Sequence, residues 1–166
     1  MIKGIIFDFN RTLYLPEIEV IPQETLDLLK NLKDKGFMLA LISIKEGERD
    51  KLIEKYNLSS FFSIIKLVDE KDKEVFEETL KSLKLDCSEV IVIGDRIRSE
   101  IKIANKLKIK TIWYRNGKFS EEYPICEEEY PNWTIDNLLE IVKILNISKE
   151  ETIKYCLYDN KEGKST

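Results

Sequence analysis

The sequence predicts an α/β domain of three layers, with a central parallel sheet of about five strands and helices on both faces. Two observations carry this. Five short runs rich in β-branched and aromatic residues alternate with amphipathic segments of helical period. The runs are almost continuously apolar, as strands covered on both faces must be. The chain of 166 residues has the size of one ordinary domain, and its 43% apolar content is enough for a buried core.

The elements follow in order. Residues 4–9, GIIFDF, read as the first buried strand. In PQETLDLLKNLKDKG, Pro22 stands at the first turn of a helix and Gly36 just past its end. Leu26, Leu29 and Leu32 share one face of it. FMLALIS, ending at Ser43, is the second strand, and a helix through Leu52, Ile53 and Tyr56 leads to a third strand over residues 63–68. From Lys73 a helix places Phe76, Leu80 and Leu83 on one stripe. EVIVIGD is the fourth strand. The next helix carries Ile97, Ile101, Ala104 and Leu107, and KTIWY is the fifth strand. Residues 115–131, with Gly117, Pro124, Pro131 and three consecutive glutamates, read as a surface loop, and TIDNLLEIVKIL as a last amphipathic helix. Residues 1–147 thus form one α/β unit. Residues 148–166 read as a short C-terminal helix, opened by the capping-box string SKEE, and a polar tail.

Composition removes several chemistries. There is no histidine, which excludes imidazole bases, serine–histidine pairs and histidine metal sites. Cys87, Cys126 and Cys156 are far apart, so the spacing offers neither a zinc knuckle nor a redox pair and suits reduced thiols in a cytoplasmic protein. The net charge of −4, with signs interleaved, gives no electrostatic ground for a nucleic-acid or bilayer partner. MIKGIIFDF is too short an apolar run for a signal peptide, and no segment approaches a membrane span.

Right-handed crossovers bring the C-terminal ends of all the strands to one edge, where open α/β sheets bind ligands. At that edge stand Asp8, Asn10 and Thr12 after strand one, Ser43 at the end of strand two, Lys71 and Lys73 after strand three, and Asp95 and Glu100 after strand four. Singly, each has a plainer reading: Ser43 as a helix cap, Asp95 as turn chemistry, the lysines as solvated charges in DEKDKE. Together, two converging carboxylates call for a cation between them, most simply Mg²⁺ with its preference for oxygen ligands. A hydroxyl and an ammonium beside them suit a phosphate, and the set suits phosphoryl transfer.

IIFDFNRTL resembles the first motif of the haloacid dehalogenase (HAD) superfamily, written D-x-D-x-T. LIS resembles the second, EKDKEVFEETLKSL the lysine segment, and VIGDRIRSEI the fourth. The resemblance spans residues 5–114 and implies a Rossmann-like HAD fold and a magnesium-dependent, phosphatase-like hydrolase. It implies that Asp8 is the nucleophile and forms an aspartyl-phosphate. Asp8, the Asn10 carbonyl, Asp95 and Glu100 would then hold Mg²⁺, while Ser43, Ile44, Thr12 and Lys71 would hold the phosphate, with Lys73 the alternative lysine.

Two departures follow. At position 10 the family's phosphatases usually keep an aspartate as acid and base, and the amide of Asn10 transfers no proton. The loss costs on the order of 10²–10⁴-fold in rate. The second reading is therefore a non-catalytic member that binds a phosphorylated ligand or a protein partner. Further, neither gap between the motifs can hold the cap domain usual for small-metabolite substrates. The site is expected to be open, suited to a large phosphorylated substrate or to coverage by a second copy of the chain.

Overall fold

The computed structural model describes residues 1–147. Its strands are β1 (Gly4–Phe7), β2 (Met38–Ile44), β3 (Ile64–Val68), β4 (Val90–Gly94), β5 (Lys110–Tyr114) and β6 (Trp133–Ile135). Its α-helices are α1 (Gln23–Asp34), α2 (Arg49–Lys55), α3 (Lys73–Leu83), α4 (Lys102–Lys106) and α5 (Ile141–Ile144). The expected C-terminal helix and tail, with Cys156, lie outside the described residues. Cys87 and Cys126 are free thiols. Among the described residues, no helix is long and apolar enough to cross a membrane.

All strand pairs are parallel, in the order β3-β2-β1-β4-β5-β6. The two-residue period of the strands divides their side chains between two cores. Ile5, Phe7, Leu39, Leu41, Ile91 and Ile93 face one side, packed with Leu28, Leu29 and Leu32 of α1 and Ile141 of α5. Ile6, Ala40, Ile42, Val90 and Val92 face the other, packed with Phe76 and Leu83 of α3 and Ala104 of α4. This is the expected three-layer sandwich. β1 and β4 are neighbours although they are distant in sequence, so the strand order reverses between them and opens a crevice at their C-terminal ends.

Three expectations need correction. The sheet has six strands, because Trp133–Ile135 pair with β5 instead of opening the last helix. That helix is correspondingly short: a 3₁₀ turn over Leu138–Glu140 followed by α5. The helix after β4 opens as a π turn, Ile97–Ile101, before α4. Among the described residues, neither the β1–β2 nor the β2–β3 connection carries a further domain, as expected.

Candidate phosphoryl-transfer site

Asp8 follows β1 directly, and its N–H donates to the Ile93 carbonyl of β4 at 3.0 Å. The chain then folds tightly. The Phe9 carbonyl accepts from the N–H groups of Leu13 and Tyr14, each at 2.9 Å, and Arg11 adopts φ +58°, a left-handed conformation uncommon for a residue with a Cβ. This loop sets Thr12 behind Asp8, its hydroxyl 3.4 Å from Oδ2.

Asp95 follows β4, and the Trp113 indole N–H donates to its carbonyl at 3.0 Å. Glu100, on the π turn, reaches back over Gly94. A Cβ on Gly94 would stand 2.9 Å from Glu100 Oε2 and 3.0 Å from its Cβ, so glycine there admits the glutamate. Ligand oxygens of Asp8, Asp95 and Glu100 lie within 4.8 Å of one another, and all three residues are buried. Burial, then the charge of Asp8 and then that of Glu100, push the Asp95 pKa up to about 8. Burial likewise raises that of Glu100, against the pull of Lys71.

Lys71 bridges the cluster. Its ammonium donates to Asp8 Oδ1 and, at 2.5 Å, to Glu100 Oε1. Its side chain is 5% exposed. Burial works against the charge, but the Asp8 and Glu100 carboxylates outweigh it and hold the ammonium above its ordinary pKa. Lys73 is 64% exposed and pairs with Glu77 at 3.2 Å, so Lys71 is the lysine that reaches the cluster.

A hard divalent cation fits this arrangement. One ammonium stands against three buried carboxylates, and Asp95 Oδ2 and Glu100 Oε2 are buried without a hydrogen-bond partner. Such oxygens are costly unless a cation or donor meets them.

Ser43 is buried at the same edge, beyond Leu41, the register partner of Phe7, and its hydroxyl donates to the Ile44 carbonyl at 3.1 Å. The Asn10 side chain is bonded to a cation of α2. Its Oδ1 accepts from Arg49 at 3.0 Å. After β5 the chain packs on the first loop: the Asn116 amide donates to the Arg11 carbonyl at 2.9 Å, and the Phe119 ring lies 5.3 Å from the Arg11 guanidinium and 4.1 Å from that of Arg96. Arg49 and Arg11 were missed in the sequence. Arg49 sits in a run of charges and Arg11 among polar residues of the first motif, with no signal separating either from a solvated residue, and only folding places Arg49 against Asn10 and Arg11 3.9 Å from Asp95.

Residues 8–114 match the family described as haloacid dehalogenase-like hydrolase. This chain belongs to the haloacid dehalogenase-like hydrolases. It is similar to the glyceraldehyde 3-phosphate phosphatase of Pyrococcus furiosus, with 30% identity over 129 residues that cover 70% of this chain and 51% of the relative. The chain thus spans about half the length of the curated relatives it matches. The fold is shared with an uncharacterized protein from Listeria monocytogenes serotype 4b (TM-score 0.74, 21% identity, 87% of this chain and 97% of that one). It is also shared with the HAD hydrolase YfnB from Bacillus subtilis, solved with magnesium (TM-score 0.65, 23% identity, 76% and 57%). In this HAD-like chain the four motif segments supply the residues at the crevice, and the matched span ends with β5.

Proposed function

We propose that this chain is a magnesium-dependent phosphatase-like hydrolase that passes a phosphoryl group through Asp8. The supporting observation is the buried cluster in which Lys71 joins Asp8 to a carboxylate set with two buried oxygens that accept no hydrogen bond. In this reading an Asp8 oxygen bonds to phosphorus as the bond to the leaving oxygen breaks. Water then releases phosphate and restores the carboxylate. Thr12 orients the nucleophile, Lys71 turns its charge to the transferring group, and Ser43 and Ile44 hold the phosphate from β2. Asp8, Asp95, Glu100 and the Asn10 carbonyl hold Mg²⁺, which when bound offsets the negative charge of substrate and carboxylates. YfnB, solved with magnesium, supports that choice of ion.

Asn10 makes the reaction slow, because it neither protonates the leaving group nor activates water. The named substrate of the relatives, glyceraldehyde 3-phosphate, is an alkyl monoester whose leaving oxygen needs a proton, so that substrate is not transferred to this chain unchanged. The same residue favours the second reading, a member that binds a phosphorylated ligand without turnover.

A screen of phosphorylated compounds with and without Mg²⁺ tests both. Metal-dependent phosphate release that disappears in Asp8→Asn is expected. Magnesium binding with no release from any compound, in wild type and in Asn10→Asp alike, would replace the first reading with the second.

A further inference from the structure

Arg49 is a buried cation that the scheme above leaves without a role. It opens α2 and its side chain is 5% exposed. Nη1 donates to Asn10 Oδ1 at 3.0 Å, and the guanidinium carbon stands 4.1 Å from the centre of the Phe9 ring. Nη2 lies 3.9 Å from the exposed Glu46 carboxylate. Nε is buried and has no acceptor. Burial lowers the Arg49 pKa, while the charges of Glu46 and then Asp8 support its cationic form. Two of its three partners, Phe9 and Asn10, belong to the loop that carries the nucleophile.

This pairing fixes what residue 10 offers. A guanidinium only donates, so the amide of Asn10 must turn its oxygen to Arg49 and present its NH₂ elsewhere. Arg49 Nε–H, buried without an acceptor, and the Asn10 NH₂ are then the donors that this pair has left to offer. Neither gives up its proton near neutral pH. A subsite of donors alone stabilises negative charge and protonates nothing.

We propose that Arg49 and Asn10 form a leaving-group subsite, and that the substrates are phosphoryl donors whose leaving oxygen departs as an anion, acyl phosphates or phosphoanhydrides. This rests on Asp8 being the nucleophile. As the Asp8 oxygen bonds to phosphorus, the bond from phosphorus to the leaving oxygen breaks and its electron pair stays on that oxygen. An alkoxide is about as basic as hydroxide and needs a proton. A carboxylate leaves near pKa 4 and a phosphate near pKa 6, and each departs as an anion into the two donors. In the second step water attacks phosphorus, the bond to Asp8 breaks, and the water proton passes to solvent.

The test compares kcat/KM of the full chain with Mg²⁺ on acetyl phosphate, pyrophosphate, aryl phosphates of graded phenol acidity, and glycerol 3-phosphate. Rates should rise as leaving-group pKa falls, with the alkyl ester at least about 10²-fold below the best donor. Acetyl phosphate against pyrophosphate separates the two sources of the anion. Arg49→Gln should cost the best donors about 10²-fold and steepen the dependence on leaving-group pKa, with Arg49→Lys recovering part of both. An equal loss for all donors with the slope unchanged would overturn the subsite, since a structural or phosphate-holding arginine behaves that way. So would wild-type hydrolysis of glycerol 3-phosphate on a par with acetyl phosphate, a result that needs no variant to fold. Failure of the underlying reading looks different: no donor is turned over and mass spectrometry finds no phosphate on Asp8, and the subsite falls with it.

Discussion

At the scale of single residues, the site is a balance of buried charges. Lys71 is held by two carboxylates, so removing its ammonium leaves both uncompensated. Lys71→Met should destabilise the metal-free protein by about 3–5 kcal/mol, read by urea unfolding, and Mg²⁺ should recover part of the loss. Asn10→Asp has a less obvious outcome. The new carboxylate would face Arg49, and a guanidinium at hydrogen-bond distance favours its ionised form. It would then serve better as a base toward water than as an acid toward the leaving group. Breakdown of the aspartyl-phosphate should accelerate by up to about 10²-fold, measured in single turnover. Alkyl phosphates should gain less until Arg49→Gln is added, which frees the aspartate to hold its proton.

At the scale of elements, the strand ends deliver the chemistry and their neighbours hold it in place. Gly94 ends β4 under Glu100. Gly94→Ala should cost about 1–3 kcal/mol by overpacking and, by displacing Glu100, weaken Mg²⁺ binding about 10- to 100-fold in calorimetry. Glu129 ties the segment after β5 to α4. Its carboxylate accepts from Lys102 at 2.9 Å and from the Ile125 N–H at 3.0 Å, and these bonds hold its pKa down to about 2 against an ordinary 4.5. A depressed carboxylate stabilises the fold above its unfolded pKa and ceases to do so as pH falls through its folded one. Glu129→Gln should therefore melt below wild type at pH 7, with the difference closing between about pH 4.5 and pH 2, as followed by circular dichroism. The same region shows why β6 was illegible. It has three residues, two of them exposed, and it joins the sheet through main-chain bonds to β5 that carry no side-chain period.

At the scale of the whole molecule, the sheet order places β1 beside β4, so that two motifs far apart in the chain bring their carboxylates into one cluster. A ligand that binds only the folded crevice must stabilise the entire domain. Mg²⁺ at 100 times its Kd should add about 2.7 kcal/mol to unfolding in wild type. In Asp95→Asn the increment should shrink, which differential scanning calorimetry would read. An equal increment in both would place the ion elsewhere.

The sequence by itself determined the layered α/β architecture, the alternation of its elements and the residues at the strand ends. Those features come from local periodicity and from the order of motifs, both written along the chain: Asp8, Thr12, Asp95 and Glu100 were each legible there. The tertiary structure alone decided which lysine reaches the carboxylates, that Asn116 and Phe119 pack on Arg11, and that Arg49 occupies Asn10. Lys71 and Lys73 stand in the same charged run, yet one enters the crevice and the other lies on the outer turn of α3. Such differences arise from contacts between segments distant in the chain, where a charge is buried or solvated according to what folds against it and not according to its neighbours in sequence.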